Sequence, residues 1–273
     1  MVKAARTALL VGLLWAQRPF REYPPMEGWD TAAGLPRDYQ APSELVLGRL
    51  MFPSSEYRGA GRFGRGGNWL LGGTAWTVDY PKGDRTFASI LRRLTRVDVR
   101  SVEQPVNPDD GDDIYYWPYL HVALPGAWSL KPQQAEKIRD YLERGGFLFC
   151  DSFFGTDEWG GFVQGMEMIL PDRPIEELPD NDPIFHTIYD IDERFQIANI
   201  RMLQWRGVPY RADGVDPHWR CIRDDKGRVI VAIAFNNDFG DAWHAADDPR
   251  YPESNASLAM RMGINNVIYS MSH

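Results

Sequence analysis

The chain has 273 residues, 44% hydrophobic and 25% charged, with a mean hydropathy of -0.41, a balance that excludes a disordered tail or a polytopic membrane protein. Thirty Lys and Arg against 38 Asp and Glu give a net charge of -8, which argues against a nucleic-acid binder, whose affinity rests on dense positive charge. Two cysteines cannot build a disulfide scaffold, so the chain must bury a core of its own, and its excess is aromatic: 10 Trp, 12 Tyr and 13 Phe.

Residues 1–16 read as a secretory signal peptide: Lys3 and Arg6 form a basic start, residues 7–16 (TALLVGLLWA) are apolar, and Ala16 is small. That run is about half the roughly 20 residues a spanning helix needs. Losing Lys3 and Arg6 takes the charge from -8 to -10. The expected product is exported, periplasmic or extracellular, without a membrane span. Its expected partner is a small polar ligand or an envelope protein, not a nucleic acid.

Residues 17–67 read as an arm and loop. Pro19, Pro24, Pro25, Pro36 and Pro42 disfavour helix and ladder alike, and Phe20, Tyr23, Trp29 and Tyr39 suggest the arm is pinned to a core. A short helix is expected next, capped by Ser43, with Leu45, Val46, Leu50 and Met51 on one face. Gly59, Gly61 and Gly64 then satisfy G-x-G-x-x-G, but no strand precedes them and no helix opens at the third glycine, so a flexible basic loop is expected rather than a nucleotide site.

Residues 68–273 alternate strand and helix. Residues 74–79 (TAWTVD) predict a strand. A helix capped by Asp84 follows, with Phe87, Ile90, Leu91 and Leu94 at helical spacing, then a strand over 97–102. The acidic loop NPDDGDD leads to a strand over 119–124 and a helix capped by Ser129. Residues 147–150 (FLFC) form a continuous apolar run, the mark of a central parallel strand. Residues 171–218 are rich in Pro, Asp and Arg, with extended pieces at 185–188 and 195–203. Residues 219–223 and 228–235 flank Asp224-Asp225-Lys226-Gly227 as a hairpin, and Ser254 or Asn255 caps a closing helix. The pattern predicts an α/β fold, a mainly parallel sheet with helices on both faces extended by a C-terminal antiparallel hairpin.

Four stretches, TVDYPKGDRTFASILRRLTRVD, SLKPQQAEKIRDYLERGGFLFCDSFFGTDEW, LPDNDPIFHTIYDIDERFQI and NNDFGDAWHAADDPRYPESNASLAMRMGINNVIYSMSH, closely resemble the bacterial domain of unknown function 4159 family. The resemblance implies a three-layer flavodoxin-like sheet related to class I glutamine amidotransferase-like domains. It brings no established activity. Members are largely envelope proteins, and some larger relatives join the domain to membrane-anchored parts resembling von Willebrand A assemblies. Relatives often show Asp-Asp-Phe-His-Gly where this chain has Asp151, Ser152, Phe153, Phe154 and Gly155, and often a His near Asn236; those imidazoles are absent here.

Open α/β sheets place ligands beyond the carboxyl ends of their strands. That rule gathers Asp79, Tyr80, Lys82, Trp128, Asp151 and Ser152, joined by Asn237, Asp238, Asp241 and Trp243 from the loop 236–248. Carboxylates, amides and indole faces suit a polar or sugar-like ligand; the plainer alternative has the Asp residues capping helices and the Trp residues filling the core. Amidotransferase nucleophiles sit on tight turns between glycines. No glycine stands two residues before Cys150 or Ser152, so a strained turn there is expected to clash, with Cys150 in the core and Asp151 or Ser152 in the turn region. A non-catalytic binding or scaffold domain is therefore expected, with a hydrolase using Asp151, Ser152 and His186 or His244 as the alternative. Asp238, Asp241, His244 and Asp247 have spacing that could ligate a cation, but neither an EF-hand nor H-E-x-x-H is present, so no metal and no cofactor is expected. His121 reads as a satisfied core histidine.

Overall fold

The computed structural model describes residues 19–27, 34–54 and 67–273. The expected signal peptide, Trp29 and most of the glycine-rich loop lie outside the described residues. The chain forms one seven-stranded sheet in the order β2-β1-β3-β4-β7-β6-β5. The strands are β1 (Gly48–Leu50), β2 (Gln104–Val106), β3 (Tyr119–Ala123), β4 (Phe147–Asp151), β5 (Glu176–Glu177), β6 (His218–Arg223) and β7 (Val229–Phe235). The pairs joining β2, β1, β3, β4 and β7 are parallel, and β6 pairs antiparallel with both β7 and β5. This is the expected α/β sheet with its C-terminal hairpin.

Helices cover both faces because the parallel strands are apolar on both sides. In β4, Phe147 and Phe149 face one core while Leu148 and Cys150 face the other. The first core takes Phe87 and Leu91 of α1 (Lys82–Leu94), Trp243 of α5 (Phe239–His244) and Leu258 of α6 (Glu253–Ser272). The second takes Ile138 and Leu142 of α2 (Pro132–Glu143) and Phe162 and Met166 of α3 (Gly155–Ile169). The short α4 (Ile200–Arg206) contributes no buried residue.

Several expected elements are corrected. The short helix after Ser43 is strand β1, between β2 and β3. Its apolar residues are dense because they serve both cores: Leu45 and Leu47 enter one, Leu50 and Phe52 the other. The expected strand 74–79 is a turn containing a 3-10 helix at Ala75–Thr77, because the Thr77 hydroxyl bonds the carbonyl of Thr74 at 2.8 Å and accepts its N–H at 3.1 Å, a local alternative to ladder pairing. The strand expected over 97–102 forms later, at β2, and Val99 makes only an isolated bridge to Leu45. Residues 195–203 are not simply extended, since Asn199 caps α4 by accepting from the Met202 N–H at 3.0 Å.

Helix caps also move. Asp84 lies inside the first turn of α1 and faces inward, α2 starts after Lys131 rather than Ser129, and Asn255 accepts from the Ala198 N–H at 2.7 Å instead of capping α6. Helix α3 escapes the sequence pattern because glycines occupy its packed face. A Cβ at Gly165 would overlap the Trp128 indole, and one at Gly161 the Gly126 carbonyl.

The arm is held by the 5.1 Å edge contact of Tyr23 on Trp76 and by the Met26 N–H, which donates to the Thr77 carbonyl at 3.1 Å. Cys150 and Cys221 are free, buried and on opposite sides of the sheet. Burial pushes both thiols up, Cys221 to about 11. A maleimide reagent should therefore leave both cysteines unlabelled in the native protein and label both after denaturation without reductant; a protein that stays unlabelled when denatured contradicts this arrangement.

Candidate functional site

Among the described residues, five that are not glycine hold left-handed backbone: Asp79 (φ 57°), Leu124 (φ 55°), Ser152 (φ 62°), Ala212 (φ 50°) and Asn236 (φ 61°). Each costs about 1–2 kcal/mol relative to right-handed backbone. Four of them line a single pocket of about 440 Å3, and the fifth, Asn236, bonds the Gly155 N–H beside it at 2.9 Å. Strain that gathers in one place marks a site over-determined by its surroundings.

The pocket lies beyond the carboxyl ends of β3, β4 and β7, which deliver Leu124, Ser152 and Asp238. Ser152 turns sharply despite the missing glycines. Its N–H donates to the Asn237 carbonyl at 3.0 Å, Phe153 bridges Asn237, and Arg211 donates to the Ser152 carbonyl at 2.9 Å. These bonds carry the strain that flanking glycines were expected to relieve. Cys150 stays in the core, as expected.

Behind the pocket runs a buried charged chain. Arg49 of β1 donates to Nδ1 of His121 at 2.9 Å and to the Val78 carbonyl at 2.6 Å, and its guanidinium stands 3.3 Å from Asp84. A guanidinium can only donate, so Nδ1 accepts and the His121 Nε2–H donates to Asp151 at 2.6 Å. Burial pushes His121 down, but the Asp151 charge and its hydrogen bond outweigh it and raise the imidazole overall. Burial pushes the Asp84 carboxyl up, yet the Arg49 guanidinium beside it holds it below the usual range. Asp151 also accepts from the Ser152 hydroxyl at 3.0 Å and the Gly240 N–H at 3.0 Å.

The pocket floor holds three buried carboxylates, Asp79, Asp238 and Asp241, with one oxygen from each within 4.8 Å of the others. Oδ1 of Asp238 stands 2.9 Å from the Ser152 hydroxyl oxygen, which has one proton for Asp151 and Asp238 together; the Asn199 amide donates to Asp238 at 2.8 Å and Asp241 at 2.9 Å, and the Ile200 N–H to Asp241 at 2.8 Å. Neighbouring acids have cations: Glu27 has Arg201 at 3.2 Å and Glu158 has Arg211 at 2.8 Å. Among the described residues, no Lys, Arg or His pairs with the three Asp residues. Desolvation and mutual repulsion push Asp79 and Asp241 well above the usual carboxylate range, and burial raises Asp238.

Thus Asp79, Ser152, Asp238 and Asp241 line the pocket, with Asp151 just behind. Other expected site residues sit elsewhere. Trp128 packs on Phe52 and Phe162 and donates to the Gly161 carbonyl at 3.0 Å, while Trp243 stacks on Phe87 at 4.1 Å. Both indoles fill the cores, so neither presents a face to the pocket. Tyr80 is fully buried and accepts from the Tyr23 N–H at 3.3 Å; Asn237 is buried, tying Ile197 to the Phe235 carbonyl. Lys82, His244 and Arg250 line a second opening, which reaches Asp79 and Asp241 from another side; Asp247 is exposed, and His186 pairs at the surface with Asp190 at 3.0 Å. The Ser152 hydroxyl therefore meets two carboxylates and no imidazole. Sequence reasoning missed Glu27, Glu158, Arg201, Arg211 and the 68% exposed Trp205, all lining the pocket.

The geometry defines an α/β domain with a strained, carboxylate-floored pocket at its strand ends. The chain belongs to the family described as a domain of unknown function (DUF4159), which matches residues 68–271. That match begins after β1, which nevertheless pairs with β2 and β3 inside the sheet. No curated protein matches the chain.

Folded Asp79 holds its proton more tightly than the unfolded chain, whose Asp titrates near 3.9. Its contribution to stability therefore falls as pH rises above about 4 through the folded-state value. Asp79→Asn should flatten that fall and raise metal-free stability at pH 8 by about 1 kcal/mol or more. Urea unfolding of both proteins from pH 5 to 8 checks this, and parallel profiles contradict it.

Proposed function

We propose that this chain is an exported, non-catalytic binding domain that takes a polar, sugar-like ligand in the pocket at its strand carboxyl ends. The observation that carries the reading is the convergence of left-handed Asp79, Leu124, Ser152 and Ala212 on one cavity of about 440 Å3, a volume suited to a small molecule. Trp205 offers an exposed indole for ring stacking, Arg201 and Arg211 offer donors, and the Asp carboxylates accept from hydroxyls. Counted among themselves, the five parallel strands run 2-1-3-4-5, the doubly wound order that supports a flavodoxin-like assignment and ligand binding at the strand ends. Export rests on the basic start and apolar run of residues 1–16.

The test is a thermal-shift screen of mono- and oligosaccharides and cell-wall peptides. At least one polyol should raise the Tm, and Trp205→Ala should weaken its binding about tenfold, the order expected for one lost ring contact. No shift with any compound contradicts the reading.

A hydrolase is the second reading, favoured by the strained turn that carries Ser152 at the end of β4. Against it stands the hydroxyl's bonding to Asp151 and Asp238 rather than to a histidine. A fluorophosphonate probe should leave Ser152 unmodified; a Ser152 adduct identified by mass spectrometry overturns the non-catalytic assignment.

A further inference from the structure

We propose that Asp79, Asp238 and Asp241 form a binding site for one hard divalent cation of the calcium or magnesium type. The inference deepens the pocket reading and shares its cavity, but a metal alone tests it.

Geometry comes first. One oxygen from each of the three carboxylates lies within 4.8 Å of the other two. Oxygens sharing one calcium sit about 2.3–2.6 Å from it, so a pair of them is at most about 5 Å apart. The three residues are only 4%, 3% and 8% exposed. They come from two places in the chain, Asp79 from the turn before α1, and Asp238 and Asp241 from the N-cap and first turn of α5.

The second observation is Asp79 itself. Its Oδ2 is buried, has no hydrogen-bond partner among the described residues, and belongs to a residue only 4% exposed. It packs so closely on Gly240 that a Cβ there would overlap it. A buried carboxylate oxygen left without a donor is a costly arrangement. A cation shared with Asp238 and Asp241 removes that cost and neutralises their mutual repulsion.

Third, the donors that do reach the cluster orient it. Asn199 holds Oδ2 of both Asp238 and Asp241, and the Ile200 N–H also holds Oδ2 of Asp241. Oδ1 of Asp241 accepts no hydrogen bond among the described residues. Hydrogen bonds of this kind fix ligating carboxylates in place. The all-oxygen donor set selects a hard cation over zinc or copper. With three protein residues contributing, the remaining coordination positions fall to water or to hydroxyls of a pocket ligand.

Isothermal titration of the full chain, freed of metal by chelator, with calcium, magnesium and manganese chlorides tests the site. One cation should bind per chain and raise the Tm. Asp79→Asn and Asp241→Asn should each weaken binding by about 100-fold or more, at the upper end of what losing even an outer-shell partner costs. Asp247→Asn, at an exposed position, should bind as wild type does. Terbium luminescence sensitised by tryptophan provides a second readout on wild-type protein, should a variant fold poorly. Absence of heat, Tm shift and terbium emission in the wild type overturns the proposal, as does equal binding by the Asp79→Asn and Asp247→Asn variants. A protein that binds cation but no polyol keeps this inference and removes the ligand reading; the reverse outcome removes this one.

Discussion

The buried guanidinium of Arg49 is the interaction on which the pocket depends. It stands almost wholly out of water, 1% exposed, where an unpaired charge costs several kcal/mol. Its contacts are divided among Asp84, the Nδ1 of His121 and the Val78 carbonyl. Each contact has a consequence. Asp84 stays ionised inside α1, His121 is fixed as the Nε2–H tautomer facing Asp151, and the chain is held one residue before Asp79 turns left-handed. Asp151 passes the constraint on by accepting from both Ser152 and Gly240. Strand β1 thereby anchors both the acidic floor and the Ser152 turn, although it lies outside the stretch that matches the family.

Strain and negative charge accumulate together. Among the described residues, all five left-handed non-glycine positions surround the pocket, and so do the three acids that no described Lys, Arg or His pairs with. Glu27, Glu158, Asp84 and Asp151 lie close by, yet each has Arg201, Arg211, Arg49 or His121 against it. Such a contrast within one small volume is what a ligand-completed site produces, because the group that balances the charge arrives from outside the chain.

Much of the fold was legible in the sequence because parallel strands buried on both faces read as apolar runs, as in residues 119–124 and 147–150, and because Gly227 (φ 80°) marks the hairpin turn. Strand β1 was not, since apolar residues facing two cores imitate a helical face when the run is short. Helix α3 was hidden by the glycines that let it approach the turn holding Gly126 and Trp128. In the site, the strand-end rule named Asp79, Ser152, Asp238 and Asp241, which line the pocket together, and Asp151, which lies just behind them. It misplaced Trp128 and Trp243, whose aromatic area is spent on packing, and it had no means of finding Arg201, Trp205 and Arg211. Those residues come from a stretch without periodicity, brought over the pocket by the Asn199 cap and the Arg211–Glu158 pair.

The central claim is that the three acids on the pocket floor are arranged around a cation. Crystals grown with calcium or manganese, measured at a wavelength where the metal scatters anomalously, test it most directly. A single anomalous peak about 2.0–2.6 Å from one oxygen each of Asp79, Asp238 and Asp241 is the predicted result. Ordered carboxylates sharing protons, with no peak between them at millimolar metal, would contradict it.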